Sequence, residues 1–339
     1  MGDMPVLFVS HPDSLGHDVA DHPERPARLA AVDQGVALAG LDGELRWVAA
    51  RRATEAEIER VHDADYVAAL ERFCRAGGGW LDNDTAAVPA SWDAALRAAG
   101  AGLEAIDRLD AGEAGAAFCA VRPPGHHALA ARAMGFCLFN NVAVTAAALA
   151  ARGQRVLLVD YDAHHGNGTQ DTFYDDPRVA YVSLHQYPLY PGTGAVLETG
   201  EGDGRGATVN VPLPPGATGD VYRAALDDVV APLAEDFRPD WLLISAGFDA
   251  HRRDPLTDLA LSSGDYAEIT AGLTELVPAG RRLAFLEGGY DLEALRDSAA
   301  ATLAALAGQP LRPEPATAGG PGRDMVTAAG LAHRRATQG

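Results

Sequence analysis

The chain has 339 residues, 47% of them hydrophobic and 22% charged, a globular balance with length for one large α/β domain or two small ones. Its net charge of −20, from 27 Lys and Arg against 47 Asp and Glu, repels nucleic-acid phosphate and anionic lipid, so neither a nucleic acid nor a membrane is an expected partner. Three cysteines without a CxxC pair make no disulfide framework and fit a reducing, cytoplasmic setting.

In chain order, the start "MGDMPVLFVSHPDS" has no basic region and no long apolar core, so it does not read as a signal peptide. Gly2 follows Met1, but Val6 breaks the myristoylation pattern. No apolar run approaches bilayer-spanning length. Short uninterrupted apolar runs then recur at 5–10, 115–121, 155–160, 179–185, 241–247 and 282–289. Runs without alternation predict strands buried on both faces, as in a parallel sheet. Ala- and Leu-rich stretches with helical spacing lie at 91–110, 140–152, 219–236, 264–277 and 291–307. The alternation predicts a doubly wound α/β sheet. No linker divides residues 1–310, which read as a single domain. The tail, 311–339, is rich in Pro, Gly and Ala and either hangs loose or packs on the body.

Most of the apolar runs end in reactive residues, where open α/β sheets bind ligands. "RPPGHHA" brings His126 and His127, "DYDAHHGNG" follows 155–159, His185 precedes "YPLYPGTG", "FDAHRRD" brings Asp249, and "GGYD" brings Tyr290. In an extended segment Asp160, Asp162 and His164 point the same way. Asp162 and His164, joined by Asp249, would make a three-ligand site with an open position, the arrangement of a catalytic zinc. A helix cap explains Asp249 equally well, and a satisfied buried pair explains His126 and His127.

Seven segments, "HPERPARL", "RPPGHHA", "GFCLFNN", "DYDAHHGNGTQ", "SLH…YPGTG", "SAGFDAHRRDPL" and "EGGYD", together resemble the zinc-dependent histone deacetylase superfamily over about residues 5–307. The resemblance includes its bacterial histone deacetylase-like and acetylpolyamine amidohydrolases. It implies the arginase/deacetylase α/β fold, a central eight-stranded parallel sheet with helices on both faces. It implies one Zn²⁺ on Asp162, His164 and Asp249, and a structural K⁺ at the segment of Asp160, Asp162, His164, Ser183 and Leu184. His127 matches the acid–base histidine, His126 its electrostatic neighbour, Asp160 that neighbour's hydrogen-bond partner, and Tyr290 the donor to the substrate carbonyl. Gly135, Phe136 and Tyr190 resemble tunnel walls, Asp84 a rim carboxylate, and Arg25 an arginine deep behind the metal. Asn167 stands where part of the family has aspartate, the class II-like pattern, and an amide raises a histidine's pKa less than a carboxylate does. Leu256 occupies the position of a glutamate gatekeeper in polyamine-selective animal relatives.

The implied activity is hydrolysis of N-acetyl-lysine in peptides or proteins. The alternative is an amidohydrolase for acetylpolyamines or other N-acyl amines, although the stretch from Tyr66 to Leu96 looks short for the insertion of bacterial polyamine enzymes. A two-manganese arginase-type site or an inactive acyl-amine binding module are further alternatives. Arg252 and Arg253 near the mouth would oppose a cationic substrate unless they are simply solvated. A homo-oligomer remains open.

Overall fold

The computed structural model describes residues 4–41 and 43–338; Gly2, and with it the acylation reading, lies outside the described residues. The strands in chain order are β1 Val6–Ser10, β2 Leu45–Ala49, β3 Gly79–Trp80, β4 Ala86–Ala87, β5 Ala116–Cys119, β6 Val156–Asp160, β7 Val179–Gln186, β8 Thr208–Leu213, β9 Trp241–Ala246 and β10 Arg282–Leu286. Eight of them form one sheet in the order β2-β1-β5-β10-β9-β6-β7-β8, parallel throughout. The other two, β3 and β4, pair antiparallel as a small separate hairpin.

The unbroken apolar runs have their expected cause. In β1, Val6 and Phe8 enter one core and Leu7 and Val9 the other, so neither face meets water. The helices are α1 Ala27–Ala39, α2 Glu55–Ile58, α3 Ala64–Arg75, α4 Ser91–Asp110, α5 Asn141–Ala151, α6 Asn167–Phe173, α7 Gly219–Ala225, α8 Ala231–Phe237, α9 Ser263–Thr274, α10 Leu292–Leu306 and α11 Arg323–Gln338. Residues of α3, α4 and α5 fill the core on one face, and residues of α1, α7, α9 and α10 the core on the other. Between α7 and α8 the rod runs through a π-turn at Leu226–Val230, just before Pro232, whose missing N–H such a widened turn accommodates. No helix among the described residues is long and apolar enough to cross a membrane. Cys74, Cys119 and Cys137 are free and buried, as small apolar residues are.

The edge strands β2 and β8 carry no apolar run. In β2, Arg46 and Trp47 are exposed, and β8 includes Asn210 and Pro212, which an edge strand tolerates because one side needs no ladder donor. The tail is tied down. Glu314 accepts from Ser263 N at 3.0 Å and lies 2.7 Å from His251 Nε2, Thr317 N donates to buried Asp265 at 3.0 Å, and Gly320 N donates to Thr218 Oγ1 at 2.7 Å. Then α11 buries Val326, Ala329 and Ala336 against the body.

Candidate active site

The carboxyl ends of β5, β6, β9 and β10 point into one pocket of about 220 Å³. Asp160 closes β6, Asp162 and His164 follow it, and Asp249 comes three residues after β9. Small residues let them converge. A Cβ on Gly247 would come within 2.0 Å of Asp162 Oδ2, and one on Gly288 within 2.4 Å of Asp249 Oδ2. Asp162, His164 and Asp249 each present a ligand atom, all within 4.8 Å of one another.

His164 Nδ1 lies 2.8 Å from Asp249 Oδ2 and 3.2 Å from Asp162 Oδ1. One imidazole nitrogen carries one proton, so it donates to only one of the two carboxylates at a time, and Asp162 Oδ1 accepts instead from His164 N at 2.9 Å. Burial and the charge of Asp162 push Asp249 up to about 7. Burial opposes ionisation of Asp162 too, yet the charges of His126 and His164 hold it well below the usual carboxylate range. Two buried acids around one imidazole fit a divalent cation that takes nitrogen and oxygen donors, zinc or iron among them.

Beside the triad, His126 and His127 pack ring to ring at 4.0 Å. His126 Nδ1 lies 3.0 Å from Asp160 Oδ2, and although burial disfavours its charge, Asp160 and Asp162 raise its pKa to about 10. His127 Nδ1 lies 2.8 Å from Asn167 Oδ1, while Asn167 Nδ2 turns to the His127 carbonyl at 3.5 Å. With that amide orientation His127 carries its proton on Nδ1 and keeps a lone pair on Nε2. Burial, then the charges of His126 and His164, push the His127 pKa well down.

Tyr290 lines the same pocket, and its backbone N–H donates to Asp254 Oδ2 at 2.7 Å. Burial pushes Asp254 up to about 6. Gly135 and Phe136 are consecutive left-handed residues, with φ of 55° and 69°, which turn the Phe136 ring edge-on to Tyr290 at 5.7 Å. Across the pocket the Tyr190 ring stands edge-on to His127 at 5.3 Å. Asp84 and Leu256 also line the pocket. Ser183 sits opposite Asp160 in the β6–β7 register, with Leu184 next along the strand. The expected site residues other than Arg25 are thus close together, in the pocket or directly behind it.

The exception is a correction. Arg25 is exposed and lines an outer groove that shares Tyr290 with the pocket, whereas Arg28 is fully buried behind the site. Arg28 donates to the Gly289 carbonyl at 2.7 Å and to the Glu287 carbonyl, pairs with Glu24 at 3.0 Å, and stands 5.0 Å from the Tyr290 ring centroid. The reason is the start of α1. Arg25 lies before the helix, but Arg28 falls in its first turn on the side that Leu29, Val32 and Val36 bury. The apolar spacing of those three residues is the sequence signal that distinguishes the two arginines. Glu24 and Arg122, its second buried partner, escaped sequence reading, as did Asp254 and Glu287. Arg252 and Arg253 do not bear on the mouth as free cations, since they pair with Glu314 and with Asp291 and Glu293.

Residues 22–306 match the family model for the histone deacetylase domain. The chain is 41% identical over 309 residues to a probable deacetylase of Archaeoglobus fulgidus, covering 89% of this chain and 86% of that protein. It is 39% identical over 289 residues to the histone deacetylase-like amidohydrolase of Pseudomonas aeruginosa, covering 84% and 75%. The crystal structure of the HDA15 HD domain superposes with a TM-score of 0.90 at 38% identity, covering 98% of this chain and 95% of that one. Sequence match, superposed parallel sheet and pocket agree: the chain belongs to the histone deacetylase family and is a hydrolase of amides.

Proposed function

We propose that the protein is a zinc-dependent deacylase that removes the acetyl group from N-acetyl-lysine in peptides or proteins, with one zinc ion per chain. The carrying observation is a single pocket lined by Asp162 and His164, with Asp249 directly against them, and by His127, Tyr290, Phe136 and Tyr190. The zinc would supply a Lewis acid for the amide carbonyl and make water acidic enough to attack at neutral pH.

The chain's own residues do the rest. His127 takes a proton at Nε2 and returns it to the leaving amine nitrogen. Its Nδ1–H stays on Asn167, which fixes the ring's orientation and tautomer. His126, held charged by Asp160, keeps positive charge beside the developing oxyanion. Tyr290 donates its O–H to that oxygen, and Arg28 steadies the ring from behind. Phe136 and Tyr190 exclude water along the acyl chain. A potassium ion at the Asp160–Ser183 strand ends would stiffen the same segment.

Leu256 lines the mouth where an anion would select a polyamine, which favours the lysine reading. Asp84 on the rim, with Asp82 close by in the chain, favours the second reading, a cationic acetylpolyamine. Rates on an acetyl-lysine peptide, acetylputrescine and acetylspermidine, each with and without chelator, test both. Chelator-sensitive turnover that is fastest on the peptide is expected. Turnover on neither class, with zinc bound, overturns the proposal.

A further inference from the structure

Glu287 is fully buried, one residue past β10 and three before Tyr290. Its Oε2 accepts from Gly125 N at 2.7 Å and from His126 N at 3.2 Å. Among the described residues no other group accepts from those two N–H groups. We propose that Glu287 is a positioning residue, whose carboxyl group holds the Gly125–His126–His127 turn in register with the metal triad and Tyr290. This rests on the reading that His127 serves as the base.

The far side of the turn is already fixed. A Cβ on Gly125 would come within 2.5 Å of Asn141 N, and Gly168 N donates to the His126 carbonyl at 3.1 Å. Asp160 and Asn167 hold the two rings, and among the described residues Glu287 alone accepts from the backbone N–H groups of Gly125 and His126. The segment that carries Glu287 also touches every other working part. Gly288 N donates to Asp162 Oδ2 at 2.8 Å, Tyr290 N donates to Asp254, and Arg28 holds the carbonyls of Glu287 and Gly289. One four-residue stretch thus sets the distance between base, ligand and oxyanion donor.

The second oxygen, Oε1, is buried and has no partner. Ionising the group places negative charge next to that enclosed oxygen, which penalises the carboxylate. Burial, opposed by the charge of His126, pushes it up to about 7, in agreement. Glutamine has the shape and neutrality of that acid and presents the same acceptor to the turn. Asparagine and aspartate, one methylene shorter, withdraw it.

The test uses the full chain loaded with zinc and the variants Glu287→Gln, Glu287→Asp and Glu287→Ala. For each, kcat and KM on an acetyl-lysine peptide, bound zinc, and the imidazole ¹⁵N–¹H spectrum are measured. Ala and Asp are expected to lower kcat about 10²-fold with KM and zinc content kept, the size of loss that a 1 Å misplacement brings. Gln is expected to recover kcat to within about threefold and to restore the His126 and His127 ring resonances. Ala and Asp variants with near-normal kcat and unmoved resonances overturn the proposal. So does a Gln variant as slow as Ala, which would assign the effect to charge. Should Ala not fold, the Asp and Gln pair decides alone. Should the wild-type chain fail to hydrolyse any acetyl-lysine peptide, the functional reading falls, while the ring resonances still judge the positioning.

Discussion

At the foot of the pocket, Asp160, Asp162 and Asp249 are each 0% exposed, and all six of their carboxylate oxygens have named partners. At its mouth, Tyr190 and Leu256 are 37% and 38% exposed, and Trp80 on the neighbouring hairpin is 61% exposed. Below, every side chain is fixed by at least one other element of the fold. Above, side chains stand on loops and meet solvent. In the proposed reading the chemistry belongs to the first region and the choice of substrate to the second, which is why membership of the family gives the reaction without naming the molecule that undergoes it.

The contrast is open to test, first where the effect is largest. Asp249→Ala should abolish zinc binding and turnover together, as metal analysis and a peptide assay will show; full zinc occupancy in this variant would remove Asp249 from the ligand set. Tyr290→Phe should lower kcat about 10²–10³-fold with zinc retained, the usual cost of one oxyanion donor. Gly135→Ala should cost about 10² in kcat, because its Cβ would meet His127 Cδ2 at 2.3 Å and the backbone is left-handed there. At the mouth, Leu256→Glu should shift the preference towards acetylpolyamines by about tenfold, roughly 1.4 kcal/mol, without changing kcat on the peptide by much. A floor variant that alters preference, or a rim variant that abolishes chemistry, would break the division.

Asn167→Asp probes the floor more gently, through pH. His127 must be neutral to accept a proton, so activity falls on the acid side as it protonates. Burial and two charged neighbours hold its pKa well down. A carboxylate in place of the Asn167 amide favours the imidazolium and raises that pKa. The acid limb of kcat/KM should therefore move to higher pH, by about one unit. An unmoved limb would show that another group sets it.

The parts of this molecule readable from sequence share a cause. The six central strands are buried on both faces, and burial leaves an apolar run that ends abruptly in functional residues. At the edges the pattern is interrupted, in β2 by Arg46 and Trp47, which meet solvent, and in β8, buried throughout, by Asn210 and Pro212. The closeness of Asp162, His164 and Asp249 was legible from reactive side chains at strand ends, whereas His126, His127 and Tyr290 were singled out through the resemblance of their motifs. Arg28 was misplaced by three residues, because the start of α1 decides which arginine faces inward. Glu287 and Asp254 went unnoticed for another reason. Their partners are backbone N–H groups distant in sequence, and a backbone donor leaves no mark in the residue code.

The family match stops at residue 306, but the contacts of the folded body run further. Asp265, wholly enclosed, caps the start of α9 and also receives Thr317, and His251 meets Glu314 just two residues beyond Asp249. A chain shortened at the edge of the match would strip Asp265 of Thr317 and His251 of Glu314, leaving Asp265 to Ser262 and Arg223. The loop that carries Asp249 would be the first to feel it, so trimming this protein for crystals or expression reaches the floor of the pocket as well as the tail.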